Sequence, residues 1–201
     1  MPRSGAAARQ RIQQAALDLY LECGYDRTTT AEIAARAGVT ERTFFRHFPD
    51  KREVLFDGEA DLRGLLGGAL DQQRVQTTPP LEVLLQAFRT TVSLLERNRP
   101  VSEPRARVIA KTPALQERSL TKAASLTLFL IDALRAGGIA DGQATLAAHA
   151  SFAAVGLATR RWFDDPSLDL DTLMVQAFGE LHALCTAGSG EQQEVRRTSG
   201  R

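Results

Sequence analysis

A single glycine, Gly38, interrupts the apolar pattern between Thr30 and Phe48, and the pattern resumes on its far side, which predicts two short helices meeting at a tight turn. Thr29-Thr30-Ala31-Glu32 has the form of a capping box, so the first of these helices starts at Thr29. Thr40 caps the second, with Val39 and Phe44 placed as a hydrophobic staple before and inside it. Packing two helices steeply across so short a turn needs a small residue at the approach and a turn residue that tolerates positive φ. Ala34, four positions before Gly38, meets the first need, and Gly38 meets the second. Ile33, Val39, Phe44 and Phe48 can then share a small core. This is the pattern of a helix-turn-helix.

The flanking sequence extends the motif into a domain. Ile12, Ala15, Ala16, Leu19, Tyr20 and Cys23 stripe one face of a preceding helix, which Gly24 closes. Asp50-Lys51-Arg52-Glu53, behind Pro49, predicts a fourth helix that weakens at Gly64, Gly67 and Gly68. After Thr77-Thr78-Pro79-Pro80, a fifth helix carries Leu81, Leu84, Leu85, Phe88, Val92 and Leu95. Pro100 and Pro104 bracket the entry to a shorter one with Val108 and Ile109. Longer helices are expected over 114–136, 141–164 and 169–184. The chain is therefore all-α, with an N-terminal helix-turn-helix domain over 8–56, a larger helical domain over 57–187, and a tail, 188–201, expected to be disordered.

Charge follows this division. The net charge of +1 hides an excess of three positive charges in residues 1–52, nine Lys/Arg against six Asp/Glu, and an acidic remainder. A basic head on an acidic body suits a modest phosphate-binding surface. No run approaches the ~18 apolar residues that cross a membrane, and the N-terminus lacks the apolar run of a signal peptide, so a cytoplasmic location is expected. Cys23 and Cys185, in apolar helical patterns, are expected as buried reduced thiols. There is no glycine-rich phosphate loop, nucleophile elbow, CxxC or HExxH, and His47, His149 and His182 are scattered. Neither catalysis nor a cofactor nor a metal is expected.

The second helix of the motif exposes Thr40, Glu41, Arg42, Thr43, Phe45, Arg46 and His47. Arginine can bond guanine O6 and N7 with two prongs, and threonine can meet a thymine methyl or a phosphate. Arg42 and Thr43 are the candidate base readers, with Thr40 beside them. Thr28, Thr29, His47 and Lys51 are candidate phosphate contacts, and Arg46 fits either role.

Gly24-Tyr25, Thr28-Thr29, Ile33-Ala34, Ala37-Gly38-Val39-Thr40, the run Thr43 to Pro49, and Lys51 together resemble the DNA-binding domain of the tetracycline-repressor (TetR) family. The close match covers about residues 8–56; the rest fits in helix number and length only. The resemblance implies an all-helical homodimer whose larger domain serves ligand binding and dimerisation. It also implies a repressor that binds a palindromic double-stranded DNA operator and leaves it when a small effector binds. A transcriptional activator or a ligand-independent DNA-binding protein is the alternative. One departure is Phe45, where the family commonly has a tyrosine whose hydroxyl meets a phosphate; Phe45 can instead pack on sugar or a thymine methyl.

For dimerisation, Ala147, Ala150, Ser151, Ala154 and Ala158 form a small-residue face, and Leu173, Met174, Ala177, Phe178, Leu181 and Leu184 stripe the last helix. Two copies of that pair would form a four-helix bundle; the alternative is an internal pair within one protomer. Phe88, Val92, Leu120, Leu126, Phe129, Leu130 and Trp162 are candidate walls of an effector cavity or plain core. Arg105, in a charged cluster with Glu103, Arg107 and Lys111, is a candidate for its mouth, or else part of a solvated face. The segment 104–120 looks like that of family members thought to bind acyl-coenzyme A-like molecules.

Overall fold

The computed structural model describes residues 3–72, 77–165 and 167–198, and every regular element among them is helical. In chain order these are α1 (Arg3–Cys23), α2 (Thr30–Arg36), α3 (Glu41–His47), a 3-10 turn (Glu53–Phe56), α4 (Glu59–Gln72), α5 (Pro80–Arg89), α6 (Val92–Ala110), α7 (Pro113–Ala136), α8 (Asp141–Asp164) and α9 (Leu170–Thr198). None of them is long and apolar enough to cross a membrane. Two compact units are present: Met1–Leu62 with Arg97–Ser125, and Arg63–Glu96 with Leu126–Arg201.

In the first unit the local signals act as expected. The Thr29 hydroxyl accepts from the Glu32 amide while the Glu32 carboxylate takes the Thr29 amide, completing the capping box. Gly38 sits at φ 65°, a left-handed conformation that costs a residue with a Cβ. Val39 then donates back to the Ala34 carbonyl, and Thr40 caps α3. Ile12, Ala16, Ile33, Ala34, Phe44 and Phe48 close one buried core. That core is not complete within 8–56, because Val108 of α6 and Leu115 of α7 belong to it.

Several expectations are corrected. The Asp50 carboxylate accepts from the Arg52 and Glu53 amides, but it closes a turn that leads into the 3-10 segment rather than into α4. The cause is Gly58 at φ 94°, which turns the chain before α4 can begin. The fifth helix ends at Arg89, where the Thr90 and Thr91 hydroxyls bond the Ala87 and Phe88 carbonyls. Pro100 and Pro104 lie inside α6. Val92 and Val108 are buried along that helix, and apolar burial works against the cost of the two missing ladder bonds. Residues 188–198, expected to be disordered, continue α9, in keeping with the helix propensity of their Glu, Gln and Arg residues. Cys23 is exposed rather than buried, because it ends α1 just before the Gly24 turn; the Cys185 side chain lies outside the described residues.

The second unit packs α8 along α9 and α5. Ala147, Ser151, Ala154 and Ala158 are buried against these neighbours, as are Leu173, Met174, Ala177 and Phe178. The small-residue face read as a dimer surface is therefore used inside the protomer, where it lets α8 approach its partners closely. Leu146, Val175 and Leu184 remain exposed instead.

Two glycine substitutions should act with opposite signs. Gly38→Ala strains the turn and should lower stability by about 1–2 kcal/mol. Gly64 lies within α4 with nothing near its would-be Cβ, so Gly64→Ala should raise stability by about 0.5–1 kcal/mol. Urea denaturation of both variants checks the pair.

Candidate nucleic-acid interface

A seven-residue helix has no stable existence alone, so α3 is held by what lies beneath it. Phe44 is fully buried, and Phe48 packs against it with ring centroids 6.0 Å apart. With that face fixed inward, Thr40, Glu41, Arg42, Phe45 and Arg46 face solvent. Phe45 is 52% exposed, its ring edge-on to Phe44 at 5.3 Å. Among the described residues Arg42 and Arg46 make no hydrogen bond or ion pair, which leaves two guanidinium groups available on one short strip. The Thr40 and Thr43 hydroxyls lie 3.0 Å apart, both engaged at the cap.

The remaining candidates fare differently. Thr28 is buried, and its hydroxyl donates to the Gly24 carbonyl at 2.9 Å, so it closes the turn after α1 and is not presented to a phosphate. Thr29 is exposed, but its hydroxyl and amide are both taken by Glu32. Those two bonds hold the Glu32 carboxyl below its ordinary pKa. Lys51 is also corrected. Its ammonium donates to the carbonyls of Tyr25 (2.8 Å) and Thr28 (2.9 Å) and sits 4.3 Å from the Tyr25 ring centroid. The Tyr20 hydroxyl in turn donates to the Lys51 carbonyl at 2.7 Å. Lys51 therefore ties the loop ahead of α2 to the segment after α3.

His47 is half-buried, with an enclosed Nε2 that has no hydrogen-bond partner. Burial, then Arg46 and Arg9, hold its pKa below the ordinary value, so the ring is neutral near pH 7. The Nε2 nitrogen is enclosed and out of reach of a phosphate.

Sequence reasoning missed Arg9. Its guanidinium forks onto Asp57 (2.6 and 2.7 Å), donates to the His47 carbonyl (3.2 Å) and lies 4.6 Å from the Phe48 ring centroid. The only available signal was a cation on the helix preceding the motif. Arg11 similarly donates to the Ala37 carbonyl at the end of α2.

The proposed effector residues divide between the units. Phe88, Val92, Leu126, Leu130 and Trp162 are buried in the second unit, and half-buried Phe129 lies under the Arg63 guanidinium. Leu120 is 71% exposed and lines no core. Arg105 belongs to the first unit, where its guanidinium donates to the Leu55 carbonyl and burial lowers its pKa. Among the described residues no group of His, Cys, Asp or Glu side chains is placed to hold a metal ion.

Comparison with known proteins points the same way. Residues 12–57 match the family described as bacterial regulatory proteins, tetR family, and residues 78–186 match the MftR C-terminal domain. The chain is 30% identical over 186 residues to the transcriptional regulator TcmR of Streptomyces glaucescens, covering 88% of this chain and 82% of TcmR. It is 29% identical over 190 residues to the transcriptional regulator MftR of Mycobacterium tuberculosis, covering 89% and 94%. Among solved structures it is similar to Thermus thermophilus FadR, a TetR-family repressor in complex with lauroyl-CoA, with 26% identity, a TM-score of 0.55 and coverage of 86% and 92%.

Two outcomes follow from these placements. Arg46→Ala should reduce the slope of log affinity against log salt by about one charge per bound protomer, whereas Lys51→Met should lower thermal stability and leave that slope unchanged. Because the His47 pKa is lowered on folding from 6.5, the unfolded chain takes up its proton first as pH falls. The resulting stability is complete above that value and is lost below it. A His47→Gln variant should therefore show a flatter fall in melting temperature from about pH 7 to 5 than the unmodified protein.

Proposed function

The chain belongs to the tetR family of bacterial regulatory proteins, and on that premise we propose that it is a repressor that binds a palindromic operator as a homodimer and leaves it when a small, largely apolar ligand binds. As a DNA-binding transcriptional regulator it acts on the chromosome, which makes the cytoplasm its place of work. The observation that carries the reading is the orientation of α3. Its apolar side is clamped by Phe44, and Arg42, Phe45 and Arg46 are turned to solvent.

In this reading Arg42 and Thr43 read base edges in the major groove, with Thr40 at the entry. Arg46 meets phosphate. Phe45, lacking a hydroxyl, packs on sugar or a thymine methyl. One α3 spans too few bases for a specific site; two helices about 34 Å apart address successive major grooves. The second copy docks on the outward faces of α8 and α9, where Leu146, Ala153, Val175, Gly179 and Ala183 are exposed. Glycine and alanine there permit close helix approach across a twofold axis.

The effector is an amphiphile, an apolar chain with an anionic head, as the lauroyl-CoA bound to the Thermus thermophilus repressor illustrates for that protein. Phe88, Val92, Leu126, Phe129, Leu130 and Trp162 are the proposed walls for the chain. A ligand that favours one setting of α4 over another lowers operator affinity by its differential affinity for the two states.

Selection of binding sequences from a random duplex pool with purified protein tests the core of this. An inverted repeat should emerge, and Arg42→Ala should lose about 1–3 kcal/mol of discrimination at particular positions within each half. Gly179→Arg leaves the protomer undisturbed, since nothing lies near that Cβ, and should yield a monomer by light scattering with operator binding lost. A dimer that persists in this variant, or a pool with no enriched sequence, overturns the corresponding part.

A further inference from the structure

Arg9 stands outside the exposed strip, yet it joins two separate parts of the first unit. Its Nε and Nη2 donate to the two carboxylate oxygens of Asp57 at 2.6 and 2.7 Å. Its Nη1 donates to the carbonyl of His47, the last residue of α3, at 3.2 Å. The guanidinium carbon also lies 4.6 Å from the ring centroid of Phe48, which packs on Phe44. Gln13, one turn along α1, adds a bond from its amide to Asp57 Oδ2 at 2.9 Å.

Asp57 occupies a mechanical joint. It follows the 3-10 turn and precedes Gly58, whose φ of 94° sends the chain into α4. Helix α4 runs on past Leu62, so its base belongs to the first unit and its continuation to the second. Through one planar group, the entry of α4 is fastened to the C-terminal end of the recognition helix. Guanidinium geometry matters here. A fork with fixed angles fixes direction as well as distance, which a point charge does not.

We propose that Arg9, held by Asp57, is a positioning residue that sets the angle of α3 against the base of α4, and so couples movement of α4 to base recognition. The inference rests on the regulator reading above. Arg9 is not assigned a DNA contact, since its donors are already directed at Asp57 and His47. Displacing Asp57 by a tilt of α4 carries the Arg9 fork with it and loosens the tether on α3. The base-edge contacts of Arg42 and Thr43 depend on that tether. Contacts to phosphate tolerate the change better, because they track charge rather than angle.

The test uses full-length Arg9→Gln and Asp57→Asn with the duplex recovered by wild-type selection and a scrambled duplex of equal length, by fluorescence anisotropy across a salt series. Each variant should lose about tenfold in the ratio of specific to scrambled affinity, as expected for breaking a charged hydrogen bond. The double variant should lose no more than either single one. Salt slopes should stay at the wild-type value. Asp57→Asn is the sharper case, because removing a negative charge by itself raises affinity for any duplex, whereas lost positioning lowers it for the selected one. An unchanged or higher ratio in Asp57→Asn overturns the proposal, as does a salt slope in Arg9→Gln reduced by about one charge per bound protomer, which would make Arg9 a phosphate contact. If Arg9→Gln does not fold by circular dichroism, the near-isosteric Asp57→Asn decides alone. A wild-type protein that selects no sequence would sink the regulator reading instead, and the two failures are distinct.

Discussion

The burial of Phe44 is the contact on which the first unit depends. Helices of seven residues, as α2 and α3 both are, gain too little from their own backbone bonds to persist in water. Phe44 supplies the missing free energy by leaving water entirely against Ile12, Ile33 and Phe48. Because a helix repeats every 3.6 residues, fixing one side chain inward also dictates which others face outward. The exposure of Arg42, Phe45 and Arg46 is thus a consequence of one aromatic anchor, with the Thr40 cap and the Gly38 turn setting where the helix begins.

The charges of this unit divide into two groups that a count cannot separate. Arg9, Arg11, Arg27 and Lys51 all donate to backbone carbonyls, satisfying groups left over at helix ends and turns. Arg36 and Arg52 pair with Glu22 and Asp50. What remains for a polyanion is a small set centred on Arg42 and Arg46. The positive excess of the N-terminal segment therefore overstates its phosphate-binding capacity, since most of its cations hold the fold together. Lys51 illustrates the error, because its position after the recognition helix suits a phosphate contact while its actual partners are the Tyr25 and Thr28 carbonyls.

The second unit shows the same ambiguity for apolar surface. A stripe of alanines on α8 permits close helix approach, but periodicity does not say whose helix approaches. Here α9 and α5 of the same chain fill that role, and the outward surface falls on Leu146 of α8 and on Val175 and Leu184 of α9. In the same way the apolar residues Phe88, Val92, Leu126, Leu130 and Trp162 were legible as buried, because burial follows from hydrophobicity. Whether buried residues line a cavity depends on the separation of helices, which no residue pattern encodes.

Local chemistry was enough to establish the all-helical class, the capping box at Thr29 to Glu32, the left-handed turn at Gly38, the cap at Thr40 and the outward side of α3. Each of these depends on residues within about one helical turn of each other, so neighbouring side chains decide them. Tertiary structure alone decided the roles of Thr28, His47, Lys51 and Arg9, the recruitment of Val108 and Leu115 into the head's core, and the inward use of the α8 alanines. Those outcomes depend on which distant carbonyl, carboxylate or helix comes within reach once the chain has closed, and spacing along a sequence does not carry that distance.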